Sequence, residues 1–201
     1  MFRFLFKDVG KFENSRLDRM FVAEDLLRHL IRAMPELSVK DRTKILSVYA
    51  DMPRFRRHTM ITLRNGVKLV DKDVQEVDEA DINNMMHVFH RFDEAGEDVS
   101  PSLLHTLRKG VFDTTKQEPD LVNGEFLCEF VYKNTLFPRG NRMARAQFDL
   151  YGETIAKKLN DNLLSTSPKV LELLLPVLDS NAWFSDEVRA KVGRALLERI
   201  L

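Results

Sequence analysis

Leu63-Arg64-Asn65-Gly66-Val67 and Leu107-Arg108-Lys109-Gly110-Val111 repeat one pattern, Leu-Arg-x-Gly-Val, 44 positions apart. Upstream of each lies an adjacent apolar pair followed by a ring three positions on: Ile45-Leu46 with Tyr49, and Met85-Met86 with Phe89. The same arrangement returns at Phe126-Leu127 with Phe130 and, more weakly, at Val170-Leu171 with Leu174, so the pairs step by 40, 41 and 44. Gly66, Gly110, Gly152 and Gly193 step by 44, 42 and 41. Two independent markers thus keep a period of about 42 residues, and a period in that range without strand-like alternation predicts stacked helical hairpins. The predicted fold is all-α, a short α-solenoid of about four helical-hairpin repeats.

At 201 residues the chain is long enough for one such array, because each hairpin buries its apolar face only against its neighbours. The expected division is an N-terminal segment with a degenerate first helix, 1–36, followed by one continuous repeat domain, 37–201. Lys plus Arg and Asp plus Glu are equal, at 31 each. That balance supplies no global positive field, which disfavours RNA as a partner while leaving room for a local basic patch. Cys128 is the only cysteine, so no intrachain disulfide can form and a reducing compartment is expected. Within Phe126-Leu127-Cys128-Glu129-Phe130-Val131 it reads as a small core thiol. No apolar run approaches the ~20 residues that span a bilayer, so no membrane span is expected.

Helix punctuation keeps the repeat. Ser38 is placed as an N-cap with Asp41 three residues on; Ser100-Pro101 and Ser167-Pro168 put a cap before a proline at the first helical position; Ser185 precedes Asp186 and Glu187. Ile82, Met85, Met86, Phe89 and Phe92 form one apolar stripe at helical spacing, with Leu103, Leu104, Leu107, Val111 and Phe112 on the partner helix. Leu17 to Met34 reads as a further amphipathic helix, and Asp71–Glu79 and Asp113–Pro119 read as loops. The recurring glycine either marks a close approach of helices or simply ends each second helix. Val170–Leu178 is apolar nearly all round, which predicts cover on more than one side, with Pro176 kinking or stopping the helix. The last helix sets Arg189, Arg194 and Arg199 against Val188, Val192, Leu196 and Ile200, the pattern of a capping helix.

No catalytic constellation, phosphate loop or dinucleotide fingerprint occurs, so neither an enzymatic activity, a cofactor nor a small-molecule substrate is expected. His87 and His90 with Glu94 have helical spacing for a metal, but they fall off the apolar stripe without a further ligand type nearby, and they read as a solvated histidine face. Candidate contacts with a partner lie elsewhere. Phe2, Phe4 and Phe6 make an aromatic terminus suited to docking. Arg54, Phe55, Arg56 and Arg57 sit in the turn of one repeat, and Arg139, Arg142 and Arg145 in the corresponding turn of the third, so both clusters are expected on one edge. Solvent, an acidic protein surface, or a nucleic-acid base stacked on Phe55 would each satisfy them.

The unit resembles the helical-hairpin repeats of organellar proteins, the pentatricopeptide and octotricopeptide classes above all. The resemblance covers residues 37 to 201 and rests on Asp81-Ile82-Asn83-Asn84-Met85-Met86 through Phe92, Gly96, and Ser100-Pro101 through Val111. It implies a mitochondrial location and one of two roles. Some members are protein subunits of mitochondrial assemblies, including an accessory subunit on the catalytic head of ATP synthase in euglenozoan protists. Several others are proteins of divergent mitochondrial ribosomes, whereas most members bind RNA. Balanced charge favours the first role, a structural adaptor contacting other subunits and most of all ATP synthase, with an organellar RNA-binding protein or a mitochondrial ribosome subunit as the alternative.

Overall fold

The computed structural model describes residues 25–51, 57–97, 100–137 and 142–201. Phe2, Phe4, Phe6 and the first part of the helix expected from Leu17 lie outside them. The described residues form nine helices and no strand: α1 over 25–33, α2 Val39–Ala50, α3 Arg57–Lys72, α4 Glu79–Glu94, α5 Pro101–Gln117, α6 Gly124–Thr135, α7 Arg145–Asn160, α8 Pro168–Asp179 and α9 Asp186–Ile200. The all-α expectation is met.

Most starts are capped as the residue types dictate. Ser38 Oγ accepts from Asp41 N at 3.2 Å, Asn123 Oδ1 from Phe126 N at 3.1 Å, Ser167 Oγ from Val170 N at 3.3 Å, and Ser185 Oγ from Val188 N at 3.4 Å. Asp78 and Asp81 form a reciprocal capping box at the head of α4. Ser100, the remaining expected cap, has a φ of 40° and its hydroxyl lies 3.3 Å from Ser102 Oγ.

Two compact units divide the chain, Met1–Leu103 and Leu104–Leu201. In the first, α2 packs on α3 and more extensively on α4, two helices further along the chain. In the second, α6 packs on α7 and α8, and α7 on α9. Helix n therefore meets helix n+2 in both units. The polar contacts follow: Thr43 donates to Asp81, Arg91 Nε to Ala50 O at 3.0 Å, Lys157 Nζ to Asp120 at 2.8 Å and Lys191 Nζ to Glu153 at 2.8 Å, across separations of 38, 41, 37 and 38 residues. Each separation is close to the sequence period.

All four repeat glycines are interior to their helices, so none is a helix end. Two mark close approaches. A Cβ on Gly152 would overlap Val188 Cγ1 and lie 2.9 Å from Phe184 Cε1, and one on Gly66 would lie 2.6 Å from Leu46 Cδ2 and 2.8 Å from Ile31 Cδ1. The other two, Gly110 and Gly193, would meet nothing within 4 Å. Gly152→Ala is therefore expected to destabilise by about 1–3 kcal/mol, because Val188 is β-branched and Phe184 is fixed in the core. Gly110→Ala and Gly193→Ala should stabilise by up to about 1 kcal/mol through helix propensity alone. Urea denaturation of the three variants checks this; one common sign would refute it.

Several local expectations change. Helix α5 runs through Gln117 rather than breaking at Asp113, because Val111 and Thr115 are buried and Thr115 Oγ1 donates to Val111 O at 2.7 Å. The acidic stretch after Val70 is likewise ordered: α3 extends to Lys72, Val74–Glu76 form a 3-10 turn, and Asp78 caps α4. Pro176 lies inside α8 without ending it. Its missing N–H would have met the carbonyl of Glu172, which like Pro176 is on the exposed side, where water can serve that carbonyl. Nor is α8 covered all round: Val170, Leu174 and Val177 are buried and Leu175 is 56% exposed.

Candidate functional site

The repeated pentapeptide acquires a structural meaning. Leu63, Val67, Leu107 and Val111 are buried and hold the helix faces together. The arginine beside each leucine reaches the far end of the helix that follows its own: Arg64 of α3 pairs with Glu97, just past α4, and Arg108 Nε of α5 donates to Asn134 Oδ1 of α6 at 2.8 Å. The Arg108 guanidinium carbon also lies 4.7 Å from the Phe137 ring centroid. Asn134 is fully buried and donates onward to Phe130 O at 2.8 Å. Neither arginine belongs to a basic cluster, and the recurrence of the pentapeptide is the only sequence signal that marks the pair.

Of the residues expected to contact a partner at the turns, Arg54, Phe55, Arg56 and Arg139 lie outside the described residues, and Arg57 opens α3. Arg142 and Arg145 are described, and the structure brings them to one place. The Arg142 guanidinium carbon lies 4.5 Å from the Trp183 ring centroid, and Arg145 Nη2 donates to Asn181 O at 2.9 Å. Both side chains thus engage the turn that precedes α9, within their own unit.

The histidine face is half-buried rather than solvated. His87 Nε2 lies 2.7 Å from Asp51 Oδ1 on the neighbouring repeat, and His90 Nε2 lies 3.4 Å from Glu94 Oε1. Burial pushes the His90 imidazole below its ordinary value, against the raising pull of Glu94. Cys128 is fully buried and its thiol is pushed up to about 12, which suppresses the thiolate a nucleophile or ligand needs. Among the described residues no three His, Cys, Asp or Glu side chains cluster as a metal site would require, and no helix is long and apolar enough to cross a membrane.

Tyr151 shows what the interior does to a lone polar atom. It is fully buried edge-on to Phe130, at 5.7 Å between ring centroids, and its hydroxyl has no hydrogen-bond partner among the described residues. Burial raises its pKa well above the ordinary phenol value. Tyr151→Phe should therefore stabilise the chain by about 1 kcal/mol, since the ring contacts stay and an unsatisfied donor leaves. Thermal unfolding followed by circular dichroism checks the direction, and a lower melting temperature would contradict it.

Exposed large apolar side chains occur at several places, among them Leu121, Leu163 and Leu175, and two of them lie on α9. Leu197 is 59% and Ile200 55% exposed. The helix expected as a one-sided cap has instead two apolar sides, since Val188, Val192 and Leu196 are buried while Ile200 faces outward, and Arg199 turns back to pair with Asn162. No family model matches the chain, and neither the curated proteins nor the solved structures yield a match.

Proposed function

We propose that the chain is a non-catalytic α-solenoid adaptor, built into a larger mitochondrial protein assembly and working through its surfaces. The observation that carries this reading is the packing of helix n on helix n+2 within each unit, with contacts one sequence period apart. A hairpin array of that kind presents extended faces at low sequence cost, the form helical-repeat proteins use to hold other macromolecules. The mitochondrial location, and the catalytic head of ATP synthase as the assembly, follow from the organellar repeat resemblance. The engagement of Arg142 and Arg145 by their own unit, together with balanced charge, supports subunit contact over RNA binding.

Affinity purification of the tagged protein from its own cells, split into nuclease-treated and untreated halves, tests this. A stoichiometric set of protein subunits that survives nuclease is the expected result. A set that disappears with the RNA would move the chain to the RNA-binding class, and a freely diffusing monomer would end the adaptor reading.

A further inference from the structure

In α7, Asp149, Gly152, Ala156 and Leu159 form a stripe at spacings of three, four and three. That stripe is where α9 docks. Gly152 leaves room for Phe184 and Val188, Asp149 Oδ1 accepts from Ser185 N at 2.7 Å, and Glu153 beside the glycine pairs with Lys191 at 2.8 Å. Ala156 and Leu159 are buried along it. One repeat later the same positions of α9 are Ala190, Gly193, Leu197 and Ile200, a fully apolar stripe. Ala190, Leu197 and Ile200 are exposed, and a Cβ on Gly193 would meet nothing within 4 Å. The other open repeat glycine, Gly110, is followed at the matching positions by Thr114 and Gln117, which suit water. The α9 stripe does not.

From this continuity we infer that the outer face of α9 is a repeat interface that receives an amphipathic helix of a partner protein, seated as α9 is seated on α7. The occupant is defined by the surface it meets. It carries an aromatic and, four residues on, a branched aliphatic residue, in the roles of Phe184 and Val188 opposite Gly193. Where α7 offers Glu153 to Lys191, α9 offers the exposed Arg194, so three residues further the partner helix carries a carboxylate. A second copy of this chain is disfavoured, because its Phe184, Val188 and Lys191 are already engaged by its own α7. This inference rests on the adaptor reading and names its contact surface.

Leu197→Cys tests it in the full-length protein. Cys128 is buried, so the introduced thiol is the reactive one, and a maleimide reads its accessibility. In the purified Leu197→Cys variant that thiol should label freely; in the nuclease-treated assembly its rate should fall by about tenfold or more. Variant labelled beforehand with a polymer maleimide should fail to enter the assembly, and Arg194→Glu should leave it at lower salt than the parent chain does. Equal labelling of the introduced thiol in free and assembled chain would overturn the inference while leaving the adaptor reading standing. Absence of both the unlabelled Leu197→Cys variant and the parent chain from any assembly would overturn both. Protection that instead grows with concentration of the purified variant would identify a second copy as occupant and also overturn it.

Discussion

Replacement of Arg42 by alanine is expected to lower the stability of the chain by about 3 kcal/mol, and lysine at this position to recover less than half of that. Arg42 is only 7% exposed, and its guanidinium holds three carbonyls from two pieces of backbone. Nε donates to Met34 O at 2.8 Å and Nη2 to Pro35 O at 3.1 Å, both in the 3-10 turn that leads into α2. Nη1 donates to Leu69 O at 3.3 Å in the last turn of α3 and pairs with Asp73. The Leu69 carbonyl is one of the four that a helix end leaves without a partner, and the Asp73 N–H that would ordinarily serve it bonds Val70 O instead, at 3.1 Å. Alanine would strand these carbonyls beside the fully buried Met34, whereas lysine offers one ammonium to acceptors spread around a planar fork. Asp73 is 40% exposed, so Asp73→Asn should cost under about 1 kcal/mol. Guanidinium denaturation of the three variants separates the contributions. A loss at Arg42→Ala no larger than at Asp73→Asn would mean that the carbonyl contacts contribute nothing.

The period is legible because it is written twice, in the apolar pairs and in the glycines, and the contacts between helices n and n+2 fall at nearly the same separation. Individual helix faces are less legible. Helix α4 shows one apolar stripe in sequence, yet Asp81 and Asn83 are buried as well, Asp81 because it serves the Asp78 cap and accepts from Thr43 of the preceding repeat. Helix α8 has the reverse history: its run of leucines says that burial is available without saying which neighbour supplies it, and Leu175 stays in solvent. Arg142 and Arg145 are recognisable from sequence as basic turn residues. Their actual partners, Trp183 and Asn181, stand 41 and 36 positions away, about one repeat, so the period itself points to where those side chains go. The same logic exposes the outer stripe of α9. Read alone, Leu197 and Ile200 look like more core; aligned about 41 residues back they match Ala156 and Leu159, which are buried in α7, while they themselves are exposed.

Trp183→Ala should cost about 3–5 kcal/mol, the range for emptying an aromatic site in a packed core. Trp183 is 9% exposed in the turn between α8 and α9. Its ring lies 5.4 Å from that of Phe148 at an interplanar angle of 46°, and the Arg142 guanidinium carbon, from the segment leading into α7, lies 4.5 Å from its centroid. Phe184 follows it directly and, with Val188, fills the space left by Gly152. Trp183 thus fixes where α9 begins: loss of the indole frees the turn that Arg145 holds through Asn181 O, and with it the Ser185 cap that Asp149 anchors. The apolar ring provides most of this, because an exposed cation–π contact is worth only about 0.5–1 kcal/mol. Arg142→Ala should accordingly cost under about 1 kcal/mol, and Trp183→Phe, which keeps a ring but loses area, should fall between the two. A double-mutant cycle over Arg142→Ala and Trp183→Phe, read by urea denaturation, isolates the stacking contribution. If Trp183→Ala cost no more than Arg142→Ala, the turn would be held by its polar contacts alone, and the position of α9, with the outer stripe it presents, would depend on Asp149 and Glu153 rather than on the ring.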